Sequence, residues 1–185
     1  MYTPAIVALV FAMVQIVAGH GLVTSPAPRG PGPLMKAACG QGIYNTLSSD
    51  PYGNVQGALQ NRGTDYNASE CKMNLCKGSQ LESGGPVQNW SAGTNVSVKV
   101  DIKAPHTGVA NVNIVNYQTG AKLATLMSWS DYASNSHTIP ANQTSFSVTI
   151  PPVSNCTVPG TCVMQWWWDA HSINQTYISC VDFTQ

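Results

Sequence analysis

From Val96 onward apolar and polar residues alternate, and that period of two limits the fold more than any other feature of the chain. Val96, Val98, Val100 and Ile102 form one such run, Ala110, Val112 and Ile114 a second, and Phe146, Val148 and Ile150 a third. Successive strand side chains point to opposite faces, so each run describes a half-buried β-strand. Cys162 to Trp168 is almost continuously apolar, as expected of a central strand, and Tyr177, Ser179, Val181 and Phe183 close the chain with another alternation. Gly93-Thr94, Gln118-Thr119-Gly120 and Pro151-Pro152 separate the runs with turn residues. The pattern describes a mainly β chain, an antiparallel immunoglobulin/fibronectin-like β-sandwich. Trp166 and Trp168 share one strand face and belong to its core, so Trp166-Trp167-Trp168 cannot form one flat platform. Pro26 to Gly85 is rich in Gly, Pro and Asn and reads as long disulfide-pinned loops, with short helices around Leu34–Ala38 and Asn67–Cys76.

The compartment follows from the N-terminus and the cysteines. Ala5 to Met13 is an apolar run too short to span a membrane, and Val17-Ala18-Gly19 supplies the small residues of a signal-peptidase site. The n-region, Met1-Tyr2-Thr3-Pro4, lacks the usual positive charge. Residues 1–19 are therefore expected to be a signal peptide and 20–185 a single secreted domain. Six cysteines suit that compartment: Cys39, Cys71, Cys76, Cys156, Cys162 and Cys180. They allow fifteen pairings. Short spacings favour Cys71 with Cys76 and Cys156 with Cys162, leaving Cys39 for Cys180; neither short pair has zinc-site spacing. Six Asn-x-Ser/Thr sequons, at Asn67, Asn89, Asn95, Asn142, Asn155 and Asn174, also suit a secreted eukaryotic chain. Charged residues are only 9% of the chain and the net charge is zero. Nucleic acid and anionic membrane both demand a basic face, so a neutral polar partner such as a polysaccharide fits better.

Cleavage after Gly19 would make His20 the first residue of the mature protein. An N-terminal histidine offers a metal two nitrogens, its α-amine and its ring, where an internal one offers only the ring. One more imidazole completes a three-nitrogen set. His106, in the strand-end turn Ile102-Lys-Ala-Pro-His-Thr-Gly108, can reach the tip of the sandwich, although a lone loop histidine is more often simply solvated. Three nitrogens, two of them imidazole, suit copper, which heads the divalent affinity series. An α-amine with a pKa of about 7.7–8.0 yields its proton readily to such a metal.

His20-Gly-Leu-Val-Thr-Ser-Pro-Ala-Pro-Arg29, the segment around His106, and Gln175-Thr-Tyr177-Ile-Ser-Cys180-Val-Asp182 together resemble the lytic polysaccharide monooxygenases. In layout the chain looks most like their fungal auxiliary activity family sixteen. The resemblance implies one copper ion, cycling between Cu(II) and Cu(I), held by His20 and His106. It also implies that Tyr177 occupies the axial position and that Gln175 donates a hydrogen bond to oxygen species nearby. His171, in Asp169-Ala-His-Ser172, is similar to a further histidine of cellulose-active relatives, at a shorter spacing; an ordinary loop histidine is the competing reading. His137 matches no motif and is expected to be solvated. Loop aromatics that could face sugar are Tyr44, Tyr52 and Tyr66, equally able to pack within the loops.

The expectation is a secreted, monomeric copper enzyme that oxidatively cleaves crystalline β-1,4-glucan, cellulose first, using dioxygen or peroxide and an external electron donor at an insoluble polysaccharide surface. A chitin-active relative of the same fold is the nearest alternative. A non-catalytic copper-binding or carbohydrate-binding sandwich is the other. No nucleic acid or membrane partner is expected.

Overall fold

The computed structural model describes residues 20–185; the expected signal sequence over 1–19 lies outside the described residues. Two sheets face each other. The smaller has the order β1-β3-β6, formed by β1 (His20–Ser25), β3 (Asn95–Ala104) and β6 (Ser145–Thr149). The larger has the order β2-β8-β7-β4-β5, formed by β2 (Val87–Asn89), β8 (Gln175–Thr184), β7 (Cys162–Ala170), β4 (Gly108–Asn116) and β5 (Lys122–Tyr132). All pairings are antiparallel except β2 with β8. The sandwich expected from the alternation is the one observed.

The period-two residues fill the space between the sheets. Val96, Val98 and Val100 of β3 meet Val112, Ile114, Trp166, Trp168, Tyr177 and Phe183 of the larger sheet, so Trp166 and Trp168 are core residues. β5 escaped the sequence pattern because its register against β4 shifts at three places, each of which breaks the alternation.

The loop-rich half is more ordered than its composition suggests. α1 (Pro33–Ser49) is 17 residues long, and α2 (Val55–Gln60) and α3 (Met73–Cys76) follow it. Gly40 interrupts α1 at φ 82°, and a Cβ there would fall 2.4 Å from the Asp65 carboxylate. This helical layer covers part of the outer face of the larger sheet, with Met35, Ile43, Leu47, Val163, Ile178 and Cys180 in a second core.

The disulfides differ from the pairing expected from spacing. Cys39 bonds Cys71 and Cys76 bonds Cys180; the third pair is Cys156 with Cys162. A one-turn helix separates Cys71 from Cys76. It turns Cys71 toward α1 and Cys76 toward β8, so the two neighbours in sequence serve different elements. The six sequon asparagines are all exposed.

Arg29 and Asp182 form a buried two-pronged ion pair, Nε to Oδ2 at 2.5 Å and Nη2 to Oδ1 at 2.7 Å, with the Tyr117 ring 4.0 Å from the guanidinium. It clamps the chain leaving β1 onto β8.

Candidate metal centre

Three strand ends converge where β1 begins. His20 pairs with Ala104 at the end of β3, and His106 lies in the three-residue link from there to β4. On the larger sheet, Ala170 at the end of β7 pairs with Gln175 at the start of β8. Gly108 at the start of β4 packs on Asp169, where a Cβ would fall 2.1 Å from the Asp169 carbonyl oxygen. His20, His106, His171 and Gln175 therefore all lie at one end of the sandwich.

The residue after His20 has to be small. Gly21 sits on the indoles of Trp166 and Trp168, with 3.0 and 3.1 Å left for a Cβ. This seats the start of β1 directly on the sandwich core.

A turn that sequence reasoning missed supports His20 from the other side. Asp50 caps the end of α1, and its Oδ2 lies 2.9 Å from His20 Nε2. Its Oδ1 accepts the Tyr52 amide at 3.1 Å, and the Tyr52 carbonyl accepts from the Gly21 amide at 3.3 Å. Lys77 holds the same turn from beneath, donating to the carbonyls of Pro51 at 2.6 Å and Gly53 at 3.0 Å. Burial pulls the Lys77 ammonium down to about 8, against an upward contribution from Asp50. No local motif in the sequence marks Asp50 or Lys77, because each reaches the site through the turn at 50–53.

Tyr177 is fully buried and stacks on Trp168, ring centroids 4.4 Å apart. Its hydroxyl donates to Gln175 Oε1, which turns the donor end of that amide away from the phenol. Burial holds the phenol far above its ordinary range; the Asn54 side chain pulls it down and the Asp50 carboxylate pushes it up. Asn54 and Asp50 therefore bring Tyr177 into the same neighbourhood as His20.

His171 opens a 3-10 turn (His171–Ile173) between β7 and β8 and is exposed. His137 follows β5 on the surface at the same end, beyond a turn in which Ser134 and Asn135 bond Thr107, the neighbour of His106. Its ring contacts the Thr138 carbonyl and Asp131 Oδ2, each at 2.9 Å, and these contacts raise its pKa, Thr138 more than Asp131. It is thus exposed but paired, where simple solvation was expected.

The three loop tyrosines are not brought together. Tyr52 is beside His20, its hydroxyl donating to Asp101 Oδ2 at 2.9 Å, and Lys103 reaches the same oxygen at 2.7 Å. Tyr44 lies on α1 with Lys36 5.9 Å from its ring, and Tyr66 packs against the helical-layer core.

Among the described residues no group of three or more His, Cys, Asp and Glu side chains is arranged to hold a metal ion. A centre at this end would have as nitrogen donors the two imidazoles and, once the chain is cleaved before His20, the α-amine of that residue. The His20 ring is oriented for that donor set. With Nε2 on Asp50, the other ring nitrogen, Nδ1, is the one that can close a six-membered chelate with the α-amine of the same residue.

A family model described as lytic polysaccharide mono-oxygenase, cellulose-degrading, matches residues 20–183. Among solved structures, an AA10 lytic polysaccharide monooxygenase from Streptomyces lividans aligns with 15% identity over 90% of this chain and 100% of its own, at a TM-score of 0.51. The catalytic domain of such an enzyme from Listeria monocytogenes aligns with 15% identity over 89% and 98%, at 0.47. A CBM33 protein from Bacillus amyloliquefaciens, solved in complex with Cu(I), aligns with 11% identity over 89% and 99%, at 0.45. The first of these likenesses shows the fold. Among curated proteins no sequence matches.

Proposed function

Because the chain belongs to the lytic polysaccharide monooxygenase family, the copper-dependent enzymes that cleave polysaccharides oxidatively, we propose that it is secreted and acts on the surface of crystalline cellulose. The observation that carries the site assignment is the convergence of His20, His106 and Gln175 at one end of the sandwich, with Asp50 on the His20 ring. Copper supplies the one-electron redox chemistry with dioxygen or peroxide that oxidative cleavage of a glycosidic bond requires. The chain's own residues do the rest. His20, through amine and Nδ1, and His106 would hold the ion; Asp50 keeps the His20 ring from rotating. Gln175, its carbonyl tied to Tyr177, presents its amide donor toward the oxygen co-substrate. Tyr177 would shield the ion beside Gln175 with a phenol that stays protonated at neutral pH. His171, exposed beside Gln175, is placed to meet co-substrate or sugar, and Tyr52 to contact the glucan next to the metal.

Cellulose as substrate is supported by the cellulose-degrading description of the matched family. Membership of fungal auxiliary activity family sixteen is supported by the layout of the N-terminal strand, the second histidine and the Gln-x-Tyr ending. Secretion is supported by the chemistry itself, since with residues 1–19 attached His20 carries an amide and the two-nitrogen clamp cannot form.

Mass spectrometry of soluble products from copper-loaded mature protein with reductant, on cellulose and on chitin separately, tests the reading. Aldonic-acid or gem-diol cello-oligosaccharides are expected, and none from His106→Ala. Oxidised products from chitin alone would replace cellulose by chitin. No oxidised product from either, with copper bound, would make the protein a copper carrier.

A further inference from the structure

Along β4 and β7, Ala110, Val112, Ile114, Trp166 and Trp168 turn into the core. Their neighbours turn outward. Asn111 stands opposite Trp167 and Asn113 opposite Gln165 on β7, while Ser128 and Thr125 of β5 stand opposite the same two asparagines. Residues directly opposite share a face, so two rows cross the outer surface: Ser128–Asn111–Trp167 and Thr125–Asn113–Gln165. They lie about 6.8 Å apart along the strands.

The helical layer roofs the outer face at Val115, Val163 and Ile178 and reaches the near end of each row, where Trp167 packs against its core and Gln165 meets α3; Asn111, Ser128 and Thr125 lie beyond that core. Ser128 and Thr125 are exposed, and Asn111 and Trp167 half-buried. Asn111, Asn113, Gln165 and Trp167 line a groove of about 290 Å³. A neighbouring groove of about 380 Å³ shares Asn74, Leu75 and Gly120 with it. Small-molecule sites are typically about 300–1,000 Å³, so the pair has room for more than a single small ring.

Asn113 is the residue that points to a ligand. It is 8% exposed, its Nδ2 donates to Asn111 Oδ1, and its own Oδ1 has no hydrogen-bond partner. A buried acceptor left unmade is a standing cost to the fold, and a donor entering the groove would satisfy it. Gln165 is held ready beside it, Nε2 donating to the Leu75 carbonyl at 2.7 Å. Amides, hydroxyls and an indole on a face with Lys122 as its one charged lining residue match a ligand that is uncharged, dense in hydroxyls and apolar on its ring faces.

We propose that this groove is a second saccharide site, taking a stretch of a single neutral β-linked glycan chain. A sugar ring stacks on Trp167 and its hydroxyls donate to Asn113 and bond Asn111 and Gln165. None of these residues belongs to the His20 cluster, so the site stands or falls apart from the oxidation reading.

The test uses metal-free mature protein titrated with cellohexaose, chitohexaose and xylohexaose, followed by side-chain amide and indole NMR resonances and by calorimetry. At least one of the three is expected to shift Asn111, Asn113, Gln165 and Trp167, and the responding sugar names the glycan. Trp167→Ala should weaken binding at least tenfold, and Asn111→Ala several-fold in a protein that still melts cooperatively. If Trp167→Ala does not fold, Asn111→Ala decides. The proposal is overturned if no sugar shifts these residues, if shifts are confined to the surroundings of His20, or if Asn111→Ala binds as the parent does.

Discussion

With His20 Nε2 2.9 Å from Asp50 Oδ2, Nδ1 is the ring nitrogen that would face the α-amine of a chain cleaved before His20. A carboxylate behind a ligating imidazole also raises its basicity, and losing such a partner typically lowers metal affinity about 10- to 100-fold. Asp50→Ala is expected to weaken Cu(II) binding by that factor in a competition titration, with Asp50→Asn between it and the parent; equal affinities in all three would remove Asp50 from the site. His20, His106, Gln175 and Tyr177 each stand in a short motif of the sequence, and what that reading shares with the structure is the convergence of His20, His106 and Gln175 at one end of the sandwich. Asp50 is 30 residues from its partner and arrives through a turn that Lys77 fastens from below, so no linear pattern carries it.

Elements with a clean period were legible, and elements that break their own period were not. β3, β4, β6 and β8 follow from alternation and β7 from its apolar run, whereas β5 loses its period at three register shifts and α1 at Gly40. Two of the three cysteine pairs were misread for a related reason, while Cys156–Cys162 is the pair expected. Spacing measures the chain between two residues and not the direction a helical turn sends them, and α3 sends Cys76 to β8. That bond should matter more than its neighbours. It closes a loop of 104 residues, against 6 for Cys156–Cys162. In the chain-entropy account these are worth about 5 and about 2 kcal/mol. Replacing both cysteines of Cys76–Cys180 by serine is expected to lower the urea-unfolding free energy by the larger amount, and the same change at Cys156–Cys162 by the smaller.

Stability of the whole molecule carries a signature from one buried cation. Lys77 is 6% exposed, and burial lowers its pKa from 10.5 to about 8. Between those values the unfolded chain holds a proton that the folded one has released, so stability rises with pH across the window. The burden below pH 8 is of order 3 kcal/mol. Above pH 10 the trend reverses, because burial raises the phenols of Tyr132 and Tyr177 and the unfolded state ionises first. Denaturant melts from pH 7 to 10 should show the rise in the parent and lose it in Lys77→Met; a flat parent profile would mean the ammonium is solvated. The molecule's zero net charge has a different outcome. Copies of an uncharged protein feel no long-range repulsion, and it falls to the sheet borders to keep them apart. β5, at one border of the larger sheet, is 11 residues long, and its three breaks in register deny an incoming strand a flat template; β2, at the other, offers only three residues. The irregularity that hid β5 from sequence reading is thus a guard against edge-to-edge aggregation.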